Sequence, residues 1–302
     1  MEKKNVYITG GTGQDARILS KYFLNKKKFN LIILSKKVKS YIAKEFFYNY
    51  LISDLRNREK LIDIFKSNIP DIIIHLASQN PSYEEKNLNI FYKNNFDASK
   101  NLIELAYEFN PYSKFIFANS SNIFLKKRGL VNEFSKKKIS SNYTRFRIEF
   151  DKIGKSFRKN KNYNYTNVIL FNHDSKFRNS KFLLPRLVKA LKIKNTLFLN
   201  KISILDIKAD FSHAEDICNG IFKISISKKR MDNIILSSGK CTRVNDILAY
   251  LINKKKLKLN LKFLKNKNDN CLIGDSSFAK KKLGWKQYKN IYLAAKEIYE
   301  YN

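Results

Sequence analysis

The first residues able to do chemistry form a glycine-spaced turn. It reads Val6-Tyr7-Ile8-Thr9-Gly10-Gly11-Thr12-Gly13-Gln14-Asp15-Ala16, with the frame Gly10-x-x-Gly13-x-x-Ala16. Glycines permit a tight turn and let backbone N–H groups approach a pyrophosphate, while the helix that follows adds a favourable dipole. The same spacing elsewhere would be an ordinary strand-to-helix turn; its place directly after an apolar strand makes it informative. Ala16 replaces the third glycine and adds a methyl group to the helix–strand contact. The next apolar run ends in Leu34-Ser35-Lys36-Lys37, with no acid to take a ribose 2′-hydroxyl. Lys36 and Lys37 suit a 2′-phosphate instead, which favours NADP over NAD. His75 sits at the end of an apolar run and reads as a core histidine with satisfied hydrogen bonds. No group of His, Cys, Asp and Glu has metal-ligand spacing, so no metal is expected.

The elements that must hold these residues alternate along the chain. Strand candidates are 5–9, 30–34, 46–52, 72–76, 114–119 and 167–171; helix candidates lie near 15–24, 56–66, 88–109 and 142–159. Nearly continuous apolar strands with helical crossovers predict an α/β fold, a Rossmann-type doubly wound parallel sheet. After about Phe171 the segments become shorter and mixed. Residues 1–170 are therefore expected to form the NADP-binding domain, and 171–302 a smaller, mainly substrate-binding region with segments returning to the first.

Composition limits the partners. The 302 residues carry 60 Lys and Arg against 26 Asp and Glu, a formal charge of +34. Lysine outnumbers arginine and is spread over the whole length, which argues for a skewed composition rather than a nucleic-acid reader. The charge still attracts a polyanion such as a nucleotide diphosphate. The Lys136-Lys137-Lys138 run reads as a solvated loop and Lys280-Lys281-Lys282 as a solvated helix face. No apolar run is long enough to cross a bilayer, and no membrane partner is expected. Three cysteines at no metal spacing, with no signal-peptide pattern, predict reduced thiols in a cytoplasmic protein.

Several segments extend the glycine turn into a resemblance that runs over essentially the whole chain. They are Gly10-Gly11-Thr12-Gly13-Gln14-Asp15, Ser53-Asp54-Leu55, His75-Leu76-Ala77-Ser78-Gln79, Leu170-Phe171-Asn172-His173-Asp174-Ser175, Ser212-His213-Ala214-Glu215-Asp216, and Gly274-Asp275 with Ala279-Lys280-Lys281-Lys282-Leu283-Gly284-Trp285. In order and spacing the chain resembles the extended short-chain dehydrogenase/reductase (NAD-dependent epimerase/dehydratase) family, most of all its GDP-mannose 4,6-dehydratases.

The resemblance implies a Tyr-x-x-x-Lys pair, which falls on Tyr143 and Arg147. The tyrosine would take a sugar hydroxyl proton, and the cation one helical turn away would favour the phenolate and bind the nicotinamide ribose. Arginine keeps the charge but is bulkier and planar. The hydroxyl partner falls on Ser120 or Ser121. The glutamate that abstracts the C5 proton aligns with Asn122, whose amide cannot act as a base. For the cofactor, Gly10, Gly13, Gln14 and Asp15, then Asp54 and Leu55 near the adenine, and Leu76, Ala77 and Ser78 over phosphates and ribose are implied. For the GDP-hexose, Asn172, His173, Arg178 and Lys265 are implied, with Ala209 and Lys265 at former arginine positions. His173 and His213 would carry structural hydrogen bonds near the sugar or touch it. The resemblance further implies a homo-oligomer and lyase activity on GDP-mannose. A 4-keto reductase or epimerase, and a sugar-nucleotide binder without turnover, stand as alternatives because of Arg147 and Asn122.

Overall fold

The computed structural model describes residues 3–24, 26–36, 49–78, 88–259, 261 and 271–301. In chain order the elements begin with β1 (Lys4–Thr9), α1 (Gln14–Leu24), β2 (Phe29–Ser35), β3 (Asn49–Ile52), α2 (Arg58–Ser67), β4 (Ile72–His75), α3 (Leu88–Phe109) and β5 (Lys114–Ser120). They continue with a 3-10 turn (Ser121–Ile123), β6 (Gly129–Val131), α4 (Asn142–Lys161), β7 (Asn164–Leu170), β8 (Asn172–Asp174), α5 (Leu183–Lys192) and α6 (Thr196–Ile204). The last are β9 (Lys208–His213), α7 (Ala214–Ile226), β10 (Asn233–Leu236), β11 (Cys241–Arg243), α8 (Val244–Lys254), β12 (Leu272–Gly274), α9 (Ser277–Leu283) and α10 (Ile291–Tyr301).

Seven strands form one sheet in the order β10-β7-β5-β4-β1-β2-β3. The pairs β2–β3, β1–β2, β1–β4 and β4–β5 are parallel. This is the expected Rossmann-like α/β fold. Val6, Tyr7, Ile8, Ile73, Ile74, Phe115, Ile116 and Phe117 are fully buried, as parallel strands covered on both faces require. The order reverses between β1 and β4, so the turns leaving these two strands flank the position where such sheets bind nucleotides.

The chain divides into two compact units: Met1–Leu125, Lys136–Ile169 and Ile221–Ile234 make the first, and Lys126–Ser135, Leu170–Gly220 and Ile235–Asn302 the second. The first is built on an aromatic core in which Tyr7, Phe65, Phe115, Phe117, Phe146, Phe150 and Tyr165 meet. The second packs α5, α6, α8 and α10 through Leu187, Leu191, Leu199, Ile247, Leu251, Ala294 and Ile298.

Two expectations are corrected. Cys241 and Cys271 are joined as a disulfide with Cα atoms 5.9 Å apart, and only Cys218 is a free, buried thiol. Sequence spacing could not show this, because the pairing of β11 with β9 and the folding back of β12 bring together residues 30 apart. Nor is Lys137 simply solvated: its Nζ lies 2.8 Å from Asp151, which also takes Lys155 at 3.0 Å. A buried carboxylate needs such partners. Among the described residues no helix is long and apolar enough to cross a membrane.

Lys114, at the start of β5, closes the far end of α7. Its Nζ donates to the carbonyls of Ile224, Ser225 and Ser227 at 3.0, 3.0 and 2.6 Å. These carbonyls lie at the end of a helix, where few N–H groups remain to meet them; Ile224 also takes the Ser227 N–H, at 3.3 Å. Burial lowers the ammonium's pKa to about 8. Lys114→Met leaves three desolvated acceptors and is expected to cost about 2–4 kcal/mol in urea unfolding.

A hydrogen-bond relay ties β1, β4 and α3 together. The Ser99 hydroxyl donates to the Asn95 carbonyl at 2.8 Å, so its oxygen accepts from His75 Nε2, also at 2.8 Å. His75 Nδ1 then accepts from the Thr9 hydroxyl at 2.8 Å, and the Thr9 oxygen receives the N–H groups of Leu76 and Ala77 at 3.2 and 3.0 Å. This chain fixes the tautomer of the ring. Burial, reinforced by the Arg147 charge, brings the imidazole pKa down to about 3. The unfolded imidazole binds its proton near pH 6.5, so it takes up a proton that the folded one refuses. The stability contributed is complete above about pH 6.5 and falls by up to about 1.4 kcal/mol per pH unit as the pH drops toward 3. Urea unfolding measured from pH 7 to pH 4 should show this slope, and His75→Gln should remove its share.

Candidate active site

The glycine turn is shaped by what it must pass. Gly10 has φ +77°, and a Cβ on it would lie 3.0 Å from the Ala77 nitrogen. A Cβ on Gly11 would lie 2.3 Å from Ile33 Cγ2. The N–H groups of Gly10 and Gly11 both reach the Leu34 carbonyl, at 3.0 and 3.3 Å, and that of Gly13 reaches Gly10 at 2.9 Å. Gln14 and Asp15 open α1, with Gln14 buried and Ala16 at 1% exposure under the helix. The result is a glycine turn at a helix N-terminus, at the switch point of the sheet, with the Tyr50 side chain close beside Gly11. Such residues fit the pyrophosphate of a dinucleotide.

Beyond the ends of β2 and β3 stands a charged cluster. Asp54 accepts Arg56 through Nε and Nη2, the latter at 2.7 Å, and Lys36 Nζ at 3.2 Å. The Arg56 guanidinium holds the Asp54 carboxyl well below the usual carboxylate range. Arg56 is anchored again by Asn94 at 2.6 Å. Lys36 is thus tied to an acid as well as placed after β2. Arg56 was missed in the sequence, although an acid followed by a base two residues on is the signal of such a clamp. Leu55 is buried beside this cluster, Leu76 and Ala77 give their N–H groups to Thr9, and Ser78 is half-buried. Lys37 and Lys265 lie outside the described residues.

Tyr143 and Arg147 sit in the first two turns of α4. A capping box fixes this start: the Ser141 oxygen accepts the Thr144 N–H at 3.2 Å, and the Thr144 oxygen accepts the Ser141 N–H at 2.9 Å. Tyr143 is half-buried. The Arg147 guanidinium carbon lies 5.0 Å from the centre of the Tyr143 ring and 5.3 Å from those of Phe117 and Phe146. One terminal nitrogen donates to the Ala118 carbonyl, and Nε is buried without a hydrogen-bond partner. Arg147 is 7% exposed. It is therefore packed under the phenol against β5, where a shorter ammonium could not reach three rings at once.

The turn after β5 closes against this helix. Asn119 Nδ2 donates to the Arg147 carbonyl at 3.4 Å, and Asn119 Oδ1 accepts the Ser120 N–H at 2.8 Å. Ser120 is half-buried and its hydroxyl oxygen takes the Asn122 N–H at 3.3 Å. Ser121 is buried and Asn122 exposed. The glycine turn, the 76–78 loop, Ser120, Tyr143 and Arg147 all belong to the first unit.

The second unit carries Asn172, His173 and Arg178. Asn172 is exposed and its amide points to the Asp210 carbonyl at 3.5 Å. His173 Nδ1 bonds the Phe171 carbonyl at 2.7 Å. Arg178 is held by Asp174 at 2.9 Å and lies 3.5 Å above the Phe182 ring centre, a fixed guanidinium suited to an anion. His213 is structural: fully buried, it accepts the Glu215 N–H at 3.2 Å and faces Glu297 at 3.2 Å. The Asp210 carboxylate is buried too and binds the N–H groups of Ser238, Gly239 and Gly274 at 2.8, 3.0 and 3.1 Å. Among the described residues no group of His, Cys, Asp and Glu is arranged to hold a metal.

Known proteins share this fold. Three solved structures superpose over nearly the whole chain. The dTDP-glucose 4,6-dehydratase of Bacillus anthracis, in complex with NAD, has a TM-score of 0.82 and 15% identity over 99% of this chain and 96% of that one. The UDP-glucuronic acid 4-epimerase of Bacillus cereus, with UDP-glucuronic acid and NAD, gives 0.83 and 17% over 98% of each chain. The UDP-glucose 4-epimerase of Thermotoga maritima, with UDP-glucose, gives 0.83 and 17% over 98% of each. At such identity these likenesses establish the fold. Comparison with curated proteins gives no match. The family model for the NAD dependent epimerase/dehydratase family matches residues 6–234, and the chain belongs to that family.

Proposed function

We propose that the protein binds NADP in the glycine cradle and works at C4 of a GDP-hexose, in the manner of a GDP-mannose 4,6-dehydratase. The observation that carries this reading is Tyr143 stacked on the Arg147 guanidinium, 5.0 Å from ring centre to charge, in the same unit as the cradle. Bound NADP supplies reversible two-electron oxidation of the sugar. The chain's residues do the rest. Tyr143 takes the proton of the C4 hydroxyl through its phenol oxygen, Ser120 or Ser121 hydrogen-bonds the same sugar oxygen, and Arg147 lays positive charge along the ring where negative charge develops. Lys36 and Arg56 stand at the adenosine end, and the preference for a 2′-phosphate rests on Lys36 and Lys37. Arg178, oriented by Asp174, would face the sugar-nucleotide diphosphate, with Asn172 nearby in sequence.

A second reading is favoured by Asn122. Its side chain is an exposed amide where a dehydratase needs a carboxylate, so C5 proton abstraction lacks its base. Chemistry confined to C4, in a 4-epimerase or a 4-keto reductase, has no such need.

Incubation with GDP-mannose and NADP, followed by detection of a 4-keto product, separates the two. A 4-keto sugar supplied with NADPH, followed by loss of nicotinamide absorbance, tests the reductase. Tyr143→Phe should lower either turnover at least about 100-fold while the cofactor still binds; an unchanged rate removes Tyr143 from the mechanism. Asn122→Glu should raise dehydration about 10-fold or more. Should it leave the rate as it was, the base does not act from that position.

A further inference from the structure

We propose that the outer face of α5 and α6 docks on an anionic lipid surface. The helices pack inward through Leu187, Leu191 and Leu199, all fully buried. Facing outward, however, are four large apolar side chains that this core does not use: Ile193 is 63% exposed, Leu197 85%, Ile204 55% and Leu205 61%. Leu197, Lys201 and Ile204 follow one another at i, i+4 and i+7 and so share one stripe of α6. Lys189 and Lys194 are exposed beside Ile193. From Ser175 to Leu205 the sequence has no aspartate or glutamate at all.

The occupant follows from charge and polarity together. Exposed leucine and isoleucine beside the exposed Lys189, Lys194 and Lys201, with no acid from Ser175 to Leu205, present apolar and cationic groups together, the combination that settles on a membrane interface. There the aliphatic side chains enter the headgroup boundary, the lysine stems reach outward, and their ammonium groups meet anionic lipid phosphates. Two other occupants fit less well. A second copy would bring one cationic face against its equal, which repels. A nucleic acid would satisfy the lysines but leave the aliphatic side chains with nothing to bury against. No bilayer crossing is involved.

Flotation of the whole protein with extruded vesicles tests this. Vesicles of phosphatidylcholine with about 30% phosphatidylglycerol should carry it, pure phosphatidylcholine should not, and about 0.5 M salt should release it. Leu197→Ser with Ile204→Ser, both at exposed positions, should weaken binding about tenfold with an unchanged melting temperature. The proposal is overturned if anionic vesicles do not carry the protein. It is equally overturned if the double variant floats like wild type, since general charge attraction then explains everything. Self-association or RNA binding that the double variant abolishes, in a protein that does not float, would assign the face to those partners instead.

Discussion

The geometry of the nucleotide end depends on a single contact between two turns. Gly10 and Ala77 approach so closely that a methyl group on Gly10 would press on the Ala77 nitrogen at 3.0 Å, and the Thr9 hydroxyl holds the 76–78 loop in that position. The imidazole of His75 secures the hydroxyl, and Ser99 of α3 secures the imidazole. Each donor in this series has one acceptor, so the ring has no freedom to turn over. The cradle is therefore maintained by buried polar groups in the sheet rather than by the turn itself, and a shift of β4 relative to β1 would open it.

The same sheet supports the reactive helix. Arg147 is a cation with few polar partners, enclosed by Tyr143, Phe117, Phe146 and a strand carbonyl. A buried charge of this kind is tolerated because aromatic faces and a carbonyl dipole replace part of its hydration. Burial keeps the nearby His75 neutral, and the Arg147 charge adds to that effect. The replacement of lysine by arginine thus has a local logic: the longer, flat group is used for stacking as much as for charge.

Most of the fold was legible in the residues. The apolar runs at Val6–Ile8, Ile72–Ile74 and Phe115–Phe117 are short and rich in β-branched and aromatic residues, which suits buried strands, and the helix beginning at Asn142 announces itself by Ser141 and Thr144. The glycine turn was readable because local pattern and spacing carry it, whereas Tyr143 was singled out by family resemblance and not by its own spacing. What spacing could not carry was pairing between distant segments. The anchoring of Arg56 by Asn94, the bond between Cys241 and Cys271, and the capture of Lys137 by Asp151 all depend on which surfaces meet. A run of lysines looks the same in sequence whether one of them is buried or none. Nor did composition reveal the exposed apolar residues of α6, because its run of Leu, Phe and Ile is equally what a helix buried in a core would show.

Asp210 shows what such distant pairing demands of the folding chain. Its carboxylate is removed from water only when the backbone of Ser238, Gly239 and Gly274 surrounds it. Ser238 and Gly239 supply part of that shell, and Gly274, 64 residues beyond Asp210 along the chain, completes it, because a carboxylate leaves water cheaply only when hydrogen bonds replace those it loses. The last packing of the second unit is therefore a long-range closure that local folding alone does not supply.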